Sequence, residues 1–154
     1  MVISIANPEG GVAKSTTAIS LSAGLAFEGY KVLLIDTELQ SNATRVFLHP
    51  AVEVPLETSL YDVIMNFSPV SSVARSTGSH NLSLVAAHIR LSGMDLELAQ
   101  AIDNRSERLK RAPGAARDSF DYVIIDTSPS LGILAINSVV ASSRLLMPVS
   151  TGFC

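Results

Sequence analysis

The chain has 154 residues, enough for one domain with a sizeable buried core. It is 47% hydrophobic and 16% charged with a net charge of −3, which excludes a disordered chain and a generally basic nucleic-acid binder but leaves room for a local basic patch. The one cysteine, Cys154, permits no internal disulfide and no Cys-ligated cluster, which fits a reduced, cytoplasmic setting; no secretory leader is expected, and no apolar run reaches the roughly 18 residues of a membrane span.

Residues 2–7 are a short apolar run without polar alternation, which predicts a buried parallel strand. Residues 16–27 carry Ala18, Ile19, Leu21, Ala23, Leu25 and Ala26 at mixed helical spacing, so a helix covered on most sides is expected, with Gly29 as its stop. A second buried strand, 31–36, closes on Asp36, and 38–44 is a polar segment beyond it. A linker bearing Pro50 and Pro55 leads to a short helix over 59–67. Residues 68–80, rich in Ser, Thr and Gly, read as an exposed loop. A third strand spans 82–87. A helix is expected from 91 to about 111, with Leu91, Met94, Leu98 and Ile102 on one stripe and a charged outer half of Arg105, Glu107, Arg108, Lys110 and Arg111. Ala112-Pro113-Gly114 would end it. A fourth strand, 122–126, closes on Asp126; a helix over 131–142 and a fifth strand over 145–149 follow. No internal repeat is visible. This alternation predicts an α/β fold, a mostly parallel sheet with helices on both faces. Right-handed crossovers would bring Asp36 and Asp126 to the same edge as the loop after the first strand.

That loop, Ala6-Asn7-Pro8-Glu9-Gly10-Gly11-Val12-Ala13-Lys14-Ser15-Thr16-Thr17, organises the chain. A strand, a Gly-containing turn, Lys-Ser-Thr and a helix make a phosphate-binding loop. Successive backbone N–H groups and the helix N-terminus face an anion, Lys14 neutralises it, and the Ser15 hydroxyl is placed to ligate Mg²⁺. A cation at a helix N-terminus is otherwise disfavoured by the dipole, although Lys14 as a plain surface lysine and Ser15 as a simple capping group remain open. The general pattern G-x-x-x-x-G-K-[ST] is not met, because Pro8 and Ala13 stand at its two glycine positions.

What does match is the variant K-G-G-x-G-K-[ST]-T, with Glu9 and Ala13 as departures. With Lys31-Val32-Leu33-Leu34-Ile35-Asp36-x-Glu38-x-Gln40-x-Asn42-Ala43-Thr44, Ser59-Leu60-Tyr61-Asp62-Val63, Phe120-Asp121-Tyr122-Val123-Ile124-Ile125-Asp126-Thr127-x-Pro129-Ser130-Leu131-Gly132 and Pro148-Val149, the whole chain resembles the ParA/MinD family of P-loop ATPases and its ParA/Soj partition subgroup. The resemblance implies a single P-loop ATPase domain over 1–154 that binds ATP and Mg²⁺. Gly10, Gly11, Val12, Ala13, Lys14, Ser15 and Thr16 would hold nucleotide; Ser15, Asp36 and Asp126 would manage the metal, Asp126 as the Walker B acid and Asp36 as a switch I acid. Lys14, Asp36 and Glu38 would serve hydrolysis. It further implies an ATP-dependent homodimer, a ParB-like or cargo-adaptor partner, nonspecific nucleoid DNA and no membrane, in a cytoplasmic, nucleoid-associated protein that positions plasmid, chromosome or protein cargo. Family members run longer, so a C-terminally incomplete sheet is expected, either as a truncated product or with its flank covered by a partner.

The departures bear on activity. Glu38 stands where the family has an aspartate that orients the attacking water, and a displacement of about 1 Å costs on the order of 10²-fold. Glu9 replaces the signature lysine that reaches across an ATP-sandwich dimer, and brings negative charge towards a polyanion; the carboxysome-positioning McdA proteins also lack that lysine. Ala13 puts a methyl where a tight turn favours glycine. Together they keep open a degenerate module that binds nucleotide weakly without turnover. An iron-protein-like reductase would need cluster cysteines that the chain lacks. For Asp36 and Asp126 the plain alternative is a strand-end cap, for Glu38 a solvated loop acid. For Arg105, Arg108, Lys110 and Arg111 a solvated face competes with contact to DNA phosphates. His49, His80 and His88 are expected in ordinary polar or capping roles.

Overall fold

A computed structural model describes residues 1–49, 51–101, 105–111 and 118–151. Three apolar runs build the sheet centre: β1 (Val2–Ile5), β2 (Val32–Asp36) and β5 (Tyr122–Asp126). Their β-branched and leucine side chains alternate between two hydrophobic layers. Leu33, Ile35, Val123 and Ile125 enter one, and Val32, Leu34 and Ile124 enter the other. A strand buried on both faces has no polar alternation to show, which is why these segments read as continuous apolar runs. With β3 (Arg75–Ser76), β4 (Leu82–Val85) and β6 (Arg144–Leu146), the order is β3-β4-β2-β5-β1-β6. All pairings are parallel except β3 with β4.

Helices cover both faces, as expected. α1 (Lys14–Phe27) and α2 (Asn42–Phe47) lie over one layer, with Ala18, Ala26 and Ala43 buried in it. α3 (Leu60–Met65), α4 (Val70–Val73), α5 (Met94–Gln100) and α6 (Ile133–Ala141) pack on the other through Leu60, Ile64, Val70, Val73, Met94, Leu98 and Leu134. α1 starts two residues before its predicted start and stops where Gly29 takes a left-handed conformation at φ 95°. There Gly29 N–H donates to Ala26 O and Tyr30 N–H to Leu25 O, a Schellman end.

Four expectations need correction. Residues 68–80 are not simply exposed loop: Val70 and Val73, one turn apart, bury themselves as α4, and Arg75–Ser76 adds an antiparallel edge to β4. The helix expected over 91–111 is interrupted. A 3₁₀ turn (Ile89–Gly93) leads into α5, and Ala101, at φ −68° and ψ 132°, ends it. Residues 105–107 form a turn and 108–111 a helical turn that returns Leu109 to the core. Asn137 of α6 secures this return, its Nδ2 donating to Arg105 O at 2.7 Å while its Oδ1 accepts from Leu109 N–H at 3.1 Å. Ile102 and the Ala112-Pro113-Gly114 stop lie outside the described residues, as do Pro50 and Cys154.

The basic face is consequently not a helical stripe. Arg105 sits in the turn, and Arg108 is buried with its guanidinium over the Phe67 ring, which Arg111 also faces. The last strand lies at Arg144–Leu146 rather than 145–149, and its side chains are exposed along the edge of the sheet.

Candidate functional site: a phosphate cradle above two strand-end acids

The loop between β1 and α1 is held from both sides. Asn7, just past β1, donates from Nδ2 to Pro148 O at 2.7 Å and accepts the Glu9 N–H on Oδ1 at 2.8 Å. Gly11 takes φ 76° and Ala13 φ 61°, ψ 33°, both left-handed. These two reversals turn the chain tightly into α1. The N-cap residue of α1, Ala13, supplies no side-chain cap, and no acid lies in the first turn of the helix. Its leading N–H groups and positive dipole end therefore face the cleft without an acceptor from the N-cap side chain.

Lys14 opens the helix and is buried, its Nζ donating to the carbonyl of Glu9 at 2.7 Å. A buried ammonium at a helix N-terminus, matched by one backbone carbonyl, is poised for a stronger anionic partner. The plain surface-lysine alternative does not describe it. Ser15 is likewise no cap: it lies inside α1, and its hydroxyl donates to Glu38 Oε2 at 2.9 Å. Asn42 Nδ2 donates to the same oxygen at 2.6 Å, so Glu38 is bound within the site rather than being a solvated loop acid.

Beneath the loop, Asp36 and Asp126 are adjacent register partners at the ends of β2 and β5, both fully buried. Asp36 Oδ1 accepts from Glu38 N–H at 3.0 Å, and Oδ2 accepts the Thr44 N–H and hydroxyl, each at 2.7 Å. It thus does cap the first turn of α2, the role posed as the alternative to metal handling. Burial raises its pKa, against the lowering effect of the Thr44 and Glu38 bonds. Asp126 differs: both its oxygens are buried with no hydrogen-bond partner among the described residues. Burial pushes its pKa from 3.8 up to about 7; the nearby Ser15 hydroxyl and Lys14 ammonium oppose the rise, and Asp36 and Glu38 add to it.

Gly10, Gly11, Ala13, Lys14, Ser15, Thr16 and Glu38 line one cleft of about 500 Å³. Val12 is buried and does not line it, and Asp36 and Asp126 are buried beside it, Asp36 bonded to the Glu38 N–H and Asp126 close to Ser15 and Lys14. Gln40, Asn42 and Pro129, which carried no assigned role in the sequence motifs, also line the cleft. Asn7 and Thr44 were equally hidden; the one signal for Asn7 is a polar residue at the end of an apolar run, and Thr44 has none of its own within the polar segment 38–44. Glu9 stands exposed at the rim with its main chain fixed by Asn7 and Lys14. His49 and His88 serve locally, their Nδ1 atoms accepting from Ala51 and Arg90 N–H.

The residues present fit a nucleotide-bound Mg²⁺. The orphaned oxygens of Asp126 call for donors, which waters on a hydrated cation supply. No three His, Cys, Asp or Glu side chains converge at ligand spacing among the described residues. An ion here would accordingly take most of its ligands from phosphate and water, as Mg²⁺ does. No helix among the described residues is long and apolar enough to cross a membrane.

Comparison with known proteins gives the same picture. The AAA_31 family model, an AAA domain, matches residues 1–154. The sporulation initiation inhibitor protein Soj of Bacillus subtilis is 40% identical over 96% of the chain. The chromosome partitioning protein ParA of Caulobacter vibrioides is 39% identical over 99% of it. The chain spans 57% of the length of each. Among solved structures, cobyrinic acid a,c-diamide synthase from Mycobacterium smegmatis with bound ADP and magnesium superposes with a TM-score of 0.88 at 34% identity, covering 96% of this chain and 59% of the other. A putative plasmid partition protein from Borrelia burgdorferi bound to AMPPNP gives 0.84 at 28% identity, covering 96% and 60%.

Proposed function

We propose, from the premise that this chain belongs to the AAA_31 family of AAA domains and is a ParA/MinD-type P-loop ATPase, that it binds ATP with Mg²⁺ and hydrolyses it slowly as a positional switch. The observation that carries this reading is a cleft lined by the 10–16 loop with buried Lys14, beside the strand-end acid Asp126, whose carboxylate has no hydrogen-bond partner among the described residues. The amides of residues 10–16 and the Lys14 ammonium would hold the phosphates, with Lys14 exchanging its bond to Glu9 O for the β- and γ-phosphates. Ser15 would contribute its hydroxyl to the metal, while Asp36 and Asp126 hold metal-bound waters. The metal, when bound, neutralises phosphate charge. Glu38 would orient the attacking water.

The output proposed is partition or positioning of plasmid, chromosome or protein cargo. ATP would favour a homodimer that binds nucleoid DNA nonspecifically, and a ParB-like or cargo-adaptor partner would stimulate release. The protein would work in the cytoplasm on the nucleoid, without a membrane.

One set of observations favours a second reading, a nucleotide-binding module without turnover. Glu38 Oε2 is engaged by both Ser15 and Asn42, and Ala13 occupies a left-handed turn. The test is ATP titration followed by phosphate release. Binding with turnover, however slow, supports the switch. Binding without release, even with partner and DNA, establishes the module instead.

A further inference from the structure

The acid loop after β5 ends at Gly132, the residue before α6, and this junction is closed by a side chain from a different element. Asp95, in the first turn of α5, accepts the Leu134 N–H on Oδ1 at 3.0 Å. Asp95 thereby caps α6, whose own N-cap residue supplies no side-chain bond. The fit leaves no space: a methyl group built on Gly132 would fall on Asp95 Oδ2 and lie 2.6 Å from its Cγ. Gly132 has φ −67°, which any residue adopts, so a side chain here would have to displace the Asp95 carboxylate rather than strain the backbone.

The loop between is short and anchored at both ends. At one end Thr127 Oγ1 donates to Ile5 O at 2.8 Å, directly after Asp126. At the other stands the Asp95 contact. Between them Pro129 forms part of the phosphate cleft wall. A loop of so few residues, fixed at its first residue, takes its path from wherever the second anchor is placed.

We infer that Asp95 is a positioning residue for the nucleotide site: through its contact with Gly132 and Leu134 it sets the path of the 127–132 loop and hence the cleft wall beside Asp126. The inference rests on the ATP·Mg²⁺ reading above for its functional consequence, and on the free protein alone for its structural one. Asp95 does not line the cleft; it acts through the loop.

Two measurements on the 154-residue chain test it, using Asp95→Ala, Asp95→Asn and Gly132→Ala. The first is amide hydrogen exchange in the nucleotide-free protein. Asp95→Ala and Gly132→Ala should speed exchange throughout residues 127–134, and Asp95→Asn, which keeps the acceptor, should restore most of the protection. The second is Mg²⁺-dependent binding of a fluorescent ATP analogue, which the same two variants should weaken about 10-fold or more, the loss typical of removing a group that supports a metal site from outside its ligands, again with rescue by Asn. Faster exchange confined to residues 133–134, or unchanged Mg²⁺-dependent affinity in a folded Asp95→Ala protein, would overturn the inference while leaving the nucleotide reading intact. A wild-type chain that binds no analogue, with or without Mg²⁺, overturns the nucleotide reading and with it the functional half of this one. Should Gly132→Ala fail to fold, the Asp95 pair decides alone.

Discussion

Ala13 and Asp126 both stand in states unusual for their residue types. An alanine at φ 61° carries a left-handed penalty of about 1 kcal/mol that glycine escapes. Ala13→Gly is expected to raise stability by about that amount in urea unfolding, and an unchanged or lower midpoint would show the turn to be unstrained. Asp126 sets a pH dependence. Without nucleotide or metal its pKa is about 7 folded against 3.8 unfolded, so the folded state binds the proton more tightly. Its contribution to stability is complete below the unfolded value and is lost as pH rises through about 7; Asp36, also raised, acts in the same direction. The unfolding midpoint should therefore fall between about pH 4 and about pH 7, and Asp126→Asn should reduce that slope, leaving the part Asp36 contributes. A wild-type midpoint that climbs across this window contradicts the assignment. At this scale Lys14, Asp36 and Asp126 were legible because each breaks a local rule, a cation at a helix start or an acid ending an apolar run, and Ser15 was legible through its place directly after Lys14. Asn7, Thr44 and Asp95 were not, because each acts on a backbone group far along the chain.

Among the elements, α2 is tied to two strands by one hydroxyl. Thr44 Oγ1 donates to Asp36 Oδ2 and accepts the Ala87 N–H at 3.0 Å, joining α2 to the ends of β2 and β4. Thr44→Val keeps the shape but strands a buried N–H and removes a donor from a buried carboxylate. It should cost about 1–3 kcal/mol in thermal or denaturant unfolding; a cost near zero would mean water replaces the hydroxyl. The central strands and α1 were readable from the sequence, since uninterrupted apolar runs and a Gly29 stop each have one physical meaning. The 91–111 segment was not. Its apolar stripe continues past Gln100, yet the break at Ala101 is secured by Asn137, some 36 residues on, which no periodicity encodes. The two-residue β3 was hidden by its polar composition and formed only because β4 offered an edge.

For the whole molecule, the sheet explains why the site exists where it does. β1, β2 and β5 run parallel, so the cradle and both acids meet at their C-terminal ends, the edge where open α/β sheets hold ligands. Glu9 stands exposed at the rim of that edge, facing outward to whatever approaches it. In the proposed ATP-dependent homodimer this charge would oppose the partner's phosphates. Glu9→Lys, introduced into a version as long as the relatives, should strengthen ATP-dependent dimerisation by light scattering, and unchanged dimerisation would count against the electrostatic account. The account as a whole depends on the cradle binding a triphosphate, which titration calorimetry with a non-hydrolysable ATP analogue tests most directly. It predicts saturable binding that strengthens with Mg²⁺ and weakens about tenfold or more in Lys14→Ala, the loss of a charged hydrogen bond. Absence of binding in the wild type, or equal binding by Lys14→Ala, would contradict it.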